Sequence, residues 1–356
     1  MNASRRGLAL MLSALASVAL AQPSTIPVDP AGRVRGFCYE APRRRPEHNP
    51  FEELAALGCT WVSLTPFAHM RSDRDPGLRF DPETEWWGES DAGIAESARQ
   101  ARAAGLRVML KPHIWLRPEG DSWHGSIRMT TPEDWDEWFD RYAAWMTHMA
   151  DLASREQMDA LVVGHELPAA SLDPSLEEEW RRVIAEVRVR TGARLVWSAH
   201  WEREFEHLPF WDAVDVMGLS LYAPVCPTPN PSPEAIAAGW ATLAGRIEAV
   251  TRRWNRPVLL TEVGFRSSAD AAARPWLWRS DAPLDLALQA CLYENLFLTC
   301  WDQPWMGGIF VWKWEAPPSA GGPGDLDFTP QGKPALDVIR AVFTAAARVE
   351  PAEADD

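Results

Sequence analysis

Two glutamates stand where a carboxylate is hard to place without a task. Glu262 interrupts Pro257-Val258-Leu259-Leu260-Thr261-Glu262-Val263-Gly264-Phe265, which reads as a short buried strand that stops at the acid, with Gly264 free to turn the chain away. Glu166 ends a second such run, Leu161-Val162-Val163-Gly164-His165-Glu166-Leu167. A carboxylate at the tip of a strand that is apolar on both faces is costly unless it has a partner or a reaction to run. Two carboxyls about 5–5.5 Å apart suit double-displacement hydrolysis of a glycosidic bond, one attacking the anomeric carbon while the other protonates the leaving oxygen. For either glutamate alone, an ion pair with a loop arginine is the simpler reading. Their joint placement in the fold reverses that order.

The placement follows from the elements. Short apolar runs occupy residues 34–39, 60–64, 106–110, 160–163, 195–198, 214–221, 258–260 and 309–312, eight candidate strands. Amphipathic segments at helical spacing lie between them. The clearest has Thr131 as N-cap, Pro132 at the first helical position, and Trp135, Trp138, Phe139, Tyr142, Trp145, Met146 and Met149 along one face. Ser232-Pro233 opens another that buries Ile236, Trp240, Leu243, Ile247 and Val250, and a third, from about residue 284 to 301, is apolar nearly all round. Eight strand–helix units without a linker predict an α/β fold, a single (β/α)8 TIM barrel over residues 33–346. A doubly wound sheet is the alternative, but no Gly-rich loop follows the first strand. In the barrel Glu166 ends strand four and Glu262 strand seven, so the two tips can meet across the C-terminal mouth, where the chemistry of such barrels sits.

The remaining strand ends are polar and aromatic: Tyr39-Glu40, residues 66–69 and 112–115, His200-Trp201, Tyr222 and residues 312–315. Of the 20 tryptophans, Trp138 and Trp145 belong in a helix core. Trp86, Trp87, Trp115, Trp123, Trp201, Trp276, Trp278, Trp312 and Trp314 fall in loops or at strand ends, where flat apolar rings suit the C–H faces of sugars. His69, His113, His165 and His200 also end strands and raise a second reading, a metal-dependent barrel hydrolase. The first strand has no His-x-His pair and strand eight no matching aspartate, so no metal ligands are predicted, nor any cofactor. A barrel that binds carbohydrate without cleaving it is a third reading, against which both glutamates speak.

A net charge of −15 over 356 residues argues against nucleic acid or an anionic membrane as partner, since either wants a basic face. Arg5 and Arg6, an apolar run to Leu20 and the small residues of Ala19-Leu20-Ala21 read as a secretory signal peptide over residues 1–21, too short for a membrane span. Residues 22–32 read as a linker before the barrel and residues 347–356 as an acidic tail after it. The expected address is secreted or periplasmic; the oligomeric state stays open. The cysteines Cys38, Cys59, Cys226, Cys291 and Cys300 are odd in number for a compartment that permits disulfides. Cys291 and Cys300 are spaced about 13 Å apart along one helix, too far to bridge.

The pattern resembles the clan A glycoside hydrolases and, more closely, glycoside hydrolase family 113. The similar segments, in order, are Val108-Met109-Leu110-Lys111-Pro112-His113-Ile114-Trp115, Val163-Gly164-His165-Glu166-Leu167, Leu208-Pro209-Phe210-Trp211-Asp212, Leu221-Tyr222-Ala223-Pro224, Leu260-Thr261-Glu262-Val263-Gly264-Phe265-Arg266-Ser267, Gly308-Ile309-Phe310-Val311-Trp312-Lys313-Trp314 and Pro330-Gln331-Gly332-Lys333-Pro334-Ala335. The resemblance implies a barrel that hydrolyses β-linked oligo- or polysaccharides with retention, β-1,4-mannan first among them. It implies Glu166 as acid/base, Glu262 as nucleophile, Tyr222 as the donor that holds the nucleophile ionised and aimed, and Trp312 or Trp314 as floor of the subsite that is cut. His165, His113, Trp115, His200 and Trp201 complete the expected substrate contacts. Many clan A enzymes carry asparagine at the position of His165, where it binds the sugar 2-hydroxyl, and asparagine is likewise expected at His200; both histidines keep a hydrogen-bonding group there. Glu166 should have a raised pKa, from its apolar strand and the charge of Glu262.

Overall fold

The computed structural model describes residues 32–117, 123–228 and 231–347. The expected signal peptide, all but the last residue of the 22–32 linker and residues 348–356 of the acidic tail lie outside the described residues. Among the described residues there are ten strands: β1 (Val34–Glu40), β2 (Trp61–Thr65), β3 (Phe67–Met70), β4 (Arg107–Leu110), β5 (His113–Leu116), β6 (Ala160–His165), β7 (Arg194–His200), β8 (Val216–Leu221), β9 (Val258–Val263) and β10 (Met306–Trp314). Eight of them are parallel and close a barrel in the order β1-β2-β4-β6-β7-β8-β9-β10, with β10 paired back to β1. These are the eight apolar runs of the sequence, and the fold is the (β/α)8 barrel they predict.

Alternation along each strand sorts the side chains. In β6, Ala160 and Val162 enter the barrel interior with Val34, Met109, Val196 and Leu259, while Leu161 and Val163 join the thicker layer between strands and helices. β3 and β5 form a separate parallel pair that the apolar runs do not foresee. Pro66 and Pro112 lack the N–H that a ladder needs, so β2 and β4 stop before them, and the chain resumes just beyond with Phe67 opposite His113 and His69 opposite Trp115.

The helix Pro132–Arg155 starts where the sequence puts it, with Thr131 Oγ1 accepting from the Asp134 N–H at 3.1 Å. It packs Trp138 and Tyr142 on Trp180, which in turn meets Trp197 of β7 edge to face at 5.0 Å. Such pairs add about 0.5–1.5 kcal/mol each beyond burial. Tyr142 Oη also donates to the Val163 carbonyl at 2.9 Å, which ties this helix to the strand that delivers Glu166. Ser232 caps the helix Pro233–Trp254 as expected. The helix Leu286–Cys300 begins two residues late, because Asp285 accepts from the Leu288 N–H at 2.8 Å and acts as its cap. Leu298 on it is 78% exposed, so this helix is not covered all round. All five cysteines are free thiols. Among the described residues no helix is long and apolar enough to cross a membrane.

Candidate active site

Strict alternation would aim Glu262 at the helices. Leu259 enters the barrel and Leu260 faces outward, so by parity position 262 falls outside. The β8–β9 ladder slips at this point: Leu260 pairs with Leu219, but Glu262 pairs with the next residue, Ser220. The β9–β10 ladder slips opposite the same place. Thr261 is thus the extra residue of a bulge, and the bulge turns Glu262 inward. β6 repeats the device, pairing Val162 with Val196, Gly164 with Trp197 and His165 with Ser198, which brings the His165 ring inside. Gly164 is required there, since a Cβ would stand 2.2 Å from the Trp197 ring. Glu166 follows in the left-handed region at φ 48°, sparsely used by residues other than glycine, with its N–H on the Ser198 carbonyl at 2.9 Å.

Glu262 is 3% exposed and held by two donors, with two imidazoles close by. Tyr222 Oη donates to its Oε2 at 2.8 Å. Lys111, fully buried at the end of β4, donates a very short hydrogen bond to Oε1 and a second, at 3.0 Å, to the Thr261 carbonyl. His113 Nε2 lies 3.4 Å and His165 Nε2 3.5 Å from Oε1. The two imidazoles stack at 4.1 Å, and Trp312 stacks on the far face of His113 at 5.8 Å. Burial pushes the Tyr222 phenol well above its ordinary value and the charge of Glu262 adds to this, so it stays a donor. Burial, then neighbouring positive charge, holds His113 and His165 well below the usual histidine range, so both rings are neutral.

Glu166 is 8% exposed. His124 Nε2 lies 3.2 Å and His165 Nε2 3.8 Å from its Oε2, so one nitrogen of His165 touches both carboxyls. That bridge accommodates the separation of about 5–5.5 Å that retaining hydrolysis uses. The protonation order differs from the sequence expectation. Burial raises both acids; at Glu166 the His124 hydrogen bond and the charges of His200 and His124 outweigh it and hold the carboxyl below its ordinary value. At Glu262 burial, helped by the charge of Glu166, outweighs Lys111 and Tyr222 and keeps the carboxyl above its ordinary value. His124, absent from the sequence reading, is the physical reason.

The other expected contacts divide. Trp115, on the same face of β5 as His113, is 44% exposed at the rim, edge-on to Phe67. The His200 ring meets Trp123 at 4.9 Å, and burial lowers its pKa against the pull of Glu166. Trp201 stacks with Trp276 at 6.0 Å. Trp312 lies in the interior cluster beside Tyr222, but Trp314 does not: the β1–β10 ladder slips so that Trp312 pairs with Cys38 and Trp314 with Tyr39, and the Trp314 ring turns outward onto Phe37 at 5.3 Å. Of the two tryptophans expected as alternatives for the subsite floor, Trp312 is the one that enters the barrel interior. Of the four strand-end histidines, His113 and His165 come together, while His69 pairs instead with Glu89 at 3.3 Å on an exposed edge. Lys111 carries a signal that the sequence reading left unused, a charge closing an apolar run as the two glutamates do. His124 opens a single 3-10 turn, His124–Ser126, with no such signal.

The profile of Glycoside Hydrolase Family 113 matches residues 43–333. The GH113 β-mannanase AaManA from Alicyclobacillus acidocaldarius, solved in complex with ManMIm, is 29% identical with a TM-score of 0.77, over 88% of this chain and 98% of that one. A GH113 β-1,4-mannanase solved as a complex is 25% identical with a TM-score of 0.74, over 88% and 99%. GH5_18 from Streptomyces cattleya, 15% identical with a TM-score of 0.58 over 90% and 82%, shares the fold alone. No curated protein matches the chain. The family match runs through both carboxyl-bearing strands and most of the barrel around them, and the chain belongs to glycoside hydrolase family 113 and is a glycoside hydrolase.

Proposed function

We propose that the chain hydrolyses β-1,4-linked mannan by double displacement, with Glu262 as nucleophile and Glu166 as acid/base. The observation that carries this reading is the opposed wiring of the two carboxyls around His165: Glu262 is gripped by the Lys111 ammonium and Tyr222, while Glu166 faces imidazoles and the Ser220 hydroxyl and no ammonium. A glycosidic oxygen seated on Glu166 Oε2 takes the place of His124 and removes the strongest influence that lowers this acid. The proton then resides on Glu166, and the Lys111 and Tyr222 donors favour the ionised Glu262. Glu262 attacks the anomeric carbon as the Glu166 proton passes to the departing oxygen. Water, deprotonated by Glu166, then breaks the glycosyl ester and restores both groups. The substrate class rests on the β-mannanase relatives. Export by way of residues 1–21, to a periplasm or beyond the cell, is part of the same proposal.

The test is product release from a panel of β-linked polysaccharides, mannan among them, by wild type and Glu262→Gln in the presence of chelator. Wild type should cleave β-mannan, and the variant should lose about 10⁴-fold or more. Cleavage of other β-linked glycans with mannan untouched would overturn the substrate. Equal rates for the two proteins would overturn the nucleophile.

A further inference from the structure

We propose that the acid/base end of the cleft is also a binding site for a divalent transition-metal ion, zinc above all, held by His124 Nε2, His165 Nε2 and Glu166 Oε2, and that occupancy blocks hydrolysis. The three atoms lie within 4.8 Å of one another, with His124 and His165 at 3.2 and 3.8 Å from the carboxylate oxygen. A tetrahedral zinc with bonds of about 2.0–2.1 Å sets its ligands about 3.3–3.4 Å apart, and both histidine nitrogens stand within a few tenths of an ångström of that spacing from the carboxylate oxygen. Two imidazoles and one carboxylate, with the fourth position open to the cleft, are a donor set that zinc accepts.

The far side of the His165 ring is already fixed. Its Nδ1 lies 3.1 Å from Ser198 Oγ, which is 2.7 Å from Thr261 Oγ1. A hydrogen bond from Nδ1 to Ser198 leaves the Nε2 lone pair aimed at the metal, the arrangement that tunes metal-binding histidines. A second group, His113, His165 and Glu262, shares the His165 nitrogen. It is the poorer site, because the Lys111 ammonium already sits on the same Glu262 oxygen and repels a cation. Zinc on Glu166 Oε2 occupies the lone pair that must carry the proton and then accept one from water, so the bound enzyme can act neither as acid nor as base.

The binding half of this inference is independent of the glycosidase reading; the inhibition half rests on it. Zinc is titrated calorimetrically into the chelator-stripped full chain, wild type, His124→Asn and Glu166→Gln, with cobalt absorption as a second readout and melting curves confirming that each variant is folded. Wild type should bind one zinc and show the intense visible bands of four-coordinate cobalt, and each variant should bind zinc at least tenfold more weakly. On a glycan that wild type cleaves, zinc should inhibit in competition with substrate and chelator should restore the rate. Zinc binding that is absent, or unchanged in both variants because it occurs at surface histidines, would overturn the site. Zinc bound at these residues of a protein that cleaves no glycan would contradict the hydrolase reading alone.

Discussion

At the scale of single residues the cleft is a problem of buried charge. Lys111 and Glu262 are both nearly inaccessible and solvate each other, so removing one leaves the other stranded. Breaking such a pair from one side costs about 3–5 kcal/mol. Lys111→Met should lower stability by roughly that amount in urea unfolding, and adding Glu262→Gln should return part of it. A single variant as stable as wild type would show that the pair is not what holds the charge. His124 acts on the other acid. Glu166 is surrounded by His124, His165, His200, Ser220 and the charge of Glu262, and His124 is the strongest of those that lower it. His124→Asn should therefore raise the Glu166 pKa and move the alkaline limb of the kcat/KM profile to higher pH. A limb that stays in place or moves down would contradict the role given to His124.

At the scale of elements, the site depends on places where strands break their own period. The apolar runs give β6 and β9 and the acids that close them, because hydrophobic alternation is a property of the residues themselves. The bulges that turn His165 and Glu262 inward, and the slip that turns Trp314 outward, are properties of two strands at once, and a single run carries no record of its neighbour's register. The acids were therefore legible as the ends of apolar runs, while the side on which Glu262, His165 and Trp314 fall was not. The turn after β7 shows a further dependence. Glu204, fully buried, accepts from Ser171 Oγ at 2.7 Å, Trp197 Nε1 at 3.0 Å and the His200 N–H at 2.7 Å, and so anchors the His200-Trp201 corner. Burial pushes its pKa up from 4.5 to about 7. Between those values the folded chain keeps a proton that the unfolded chain has released, so this residue makes stability fall as pH rises from 4.5 to about 7. Glu204→Gln should flatten that part of a stability profile measured by urea unfolding at a series of pH values. An unchanged slope would place the titration elsewhere.

At the scale of the whole molecule, eight runs, the helix caps at Thr131 and Ser232 and the absence of a linker were enough for the barrel, because a parallel sheet buried on both faces writes near-continuous apolar strands into the sequence. The β3–β5 pair escaped because its strands are four residues each and follow prolines. His124 and the grip of Lys111 escaped for a different reason: both depend on which side chains meet across the mouth, and the chain brings them from 42 and 151 residues away. The barrel explains why two buried acids on strands four and seven can share one substrate, and its central claim is that Glu262 carries the glycosyl group. The most direct test is to trap the intermediate with a 2-deoxy-2-fluoro glycosyl fluoride of the sugar that the enzyme cleaves and to locate the added mass by peptide mass spectrometry. The account predicts one glycosyl adduct per chain, on Glu262. An adduct on Glu166, or no adduct in an enzyme that turns over with inversion, would contradict it.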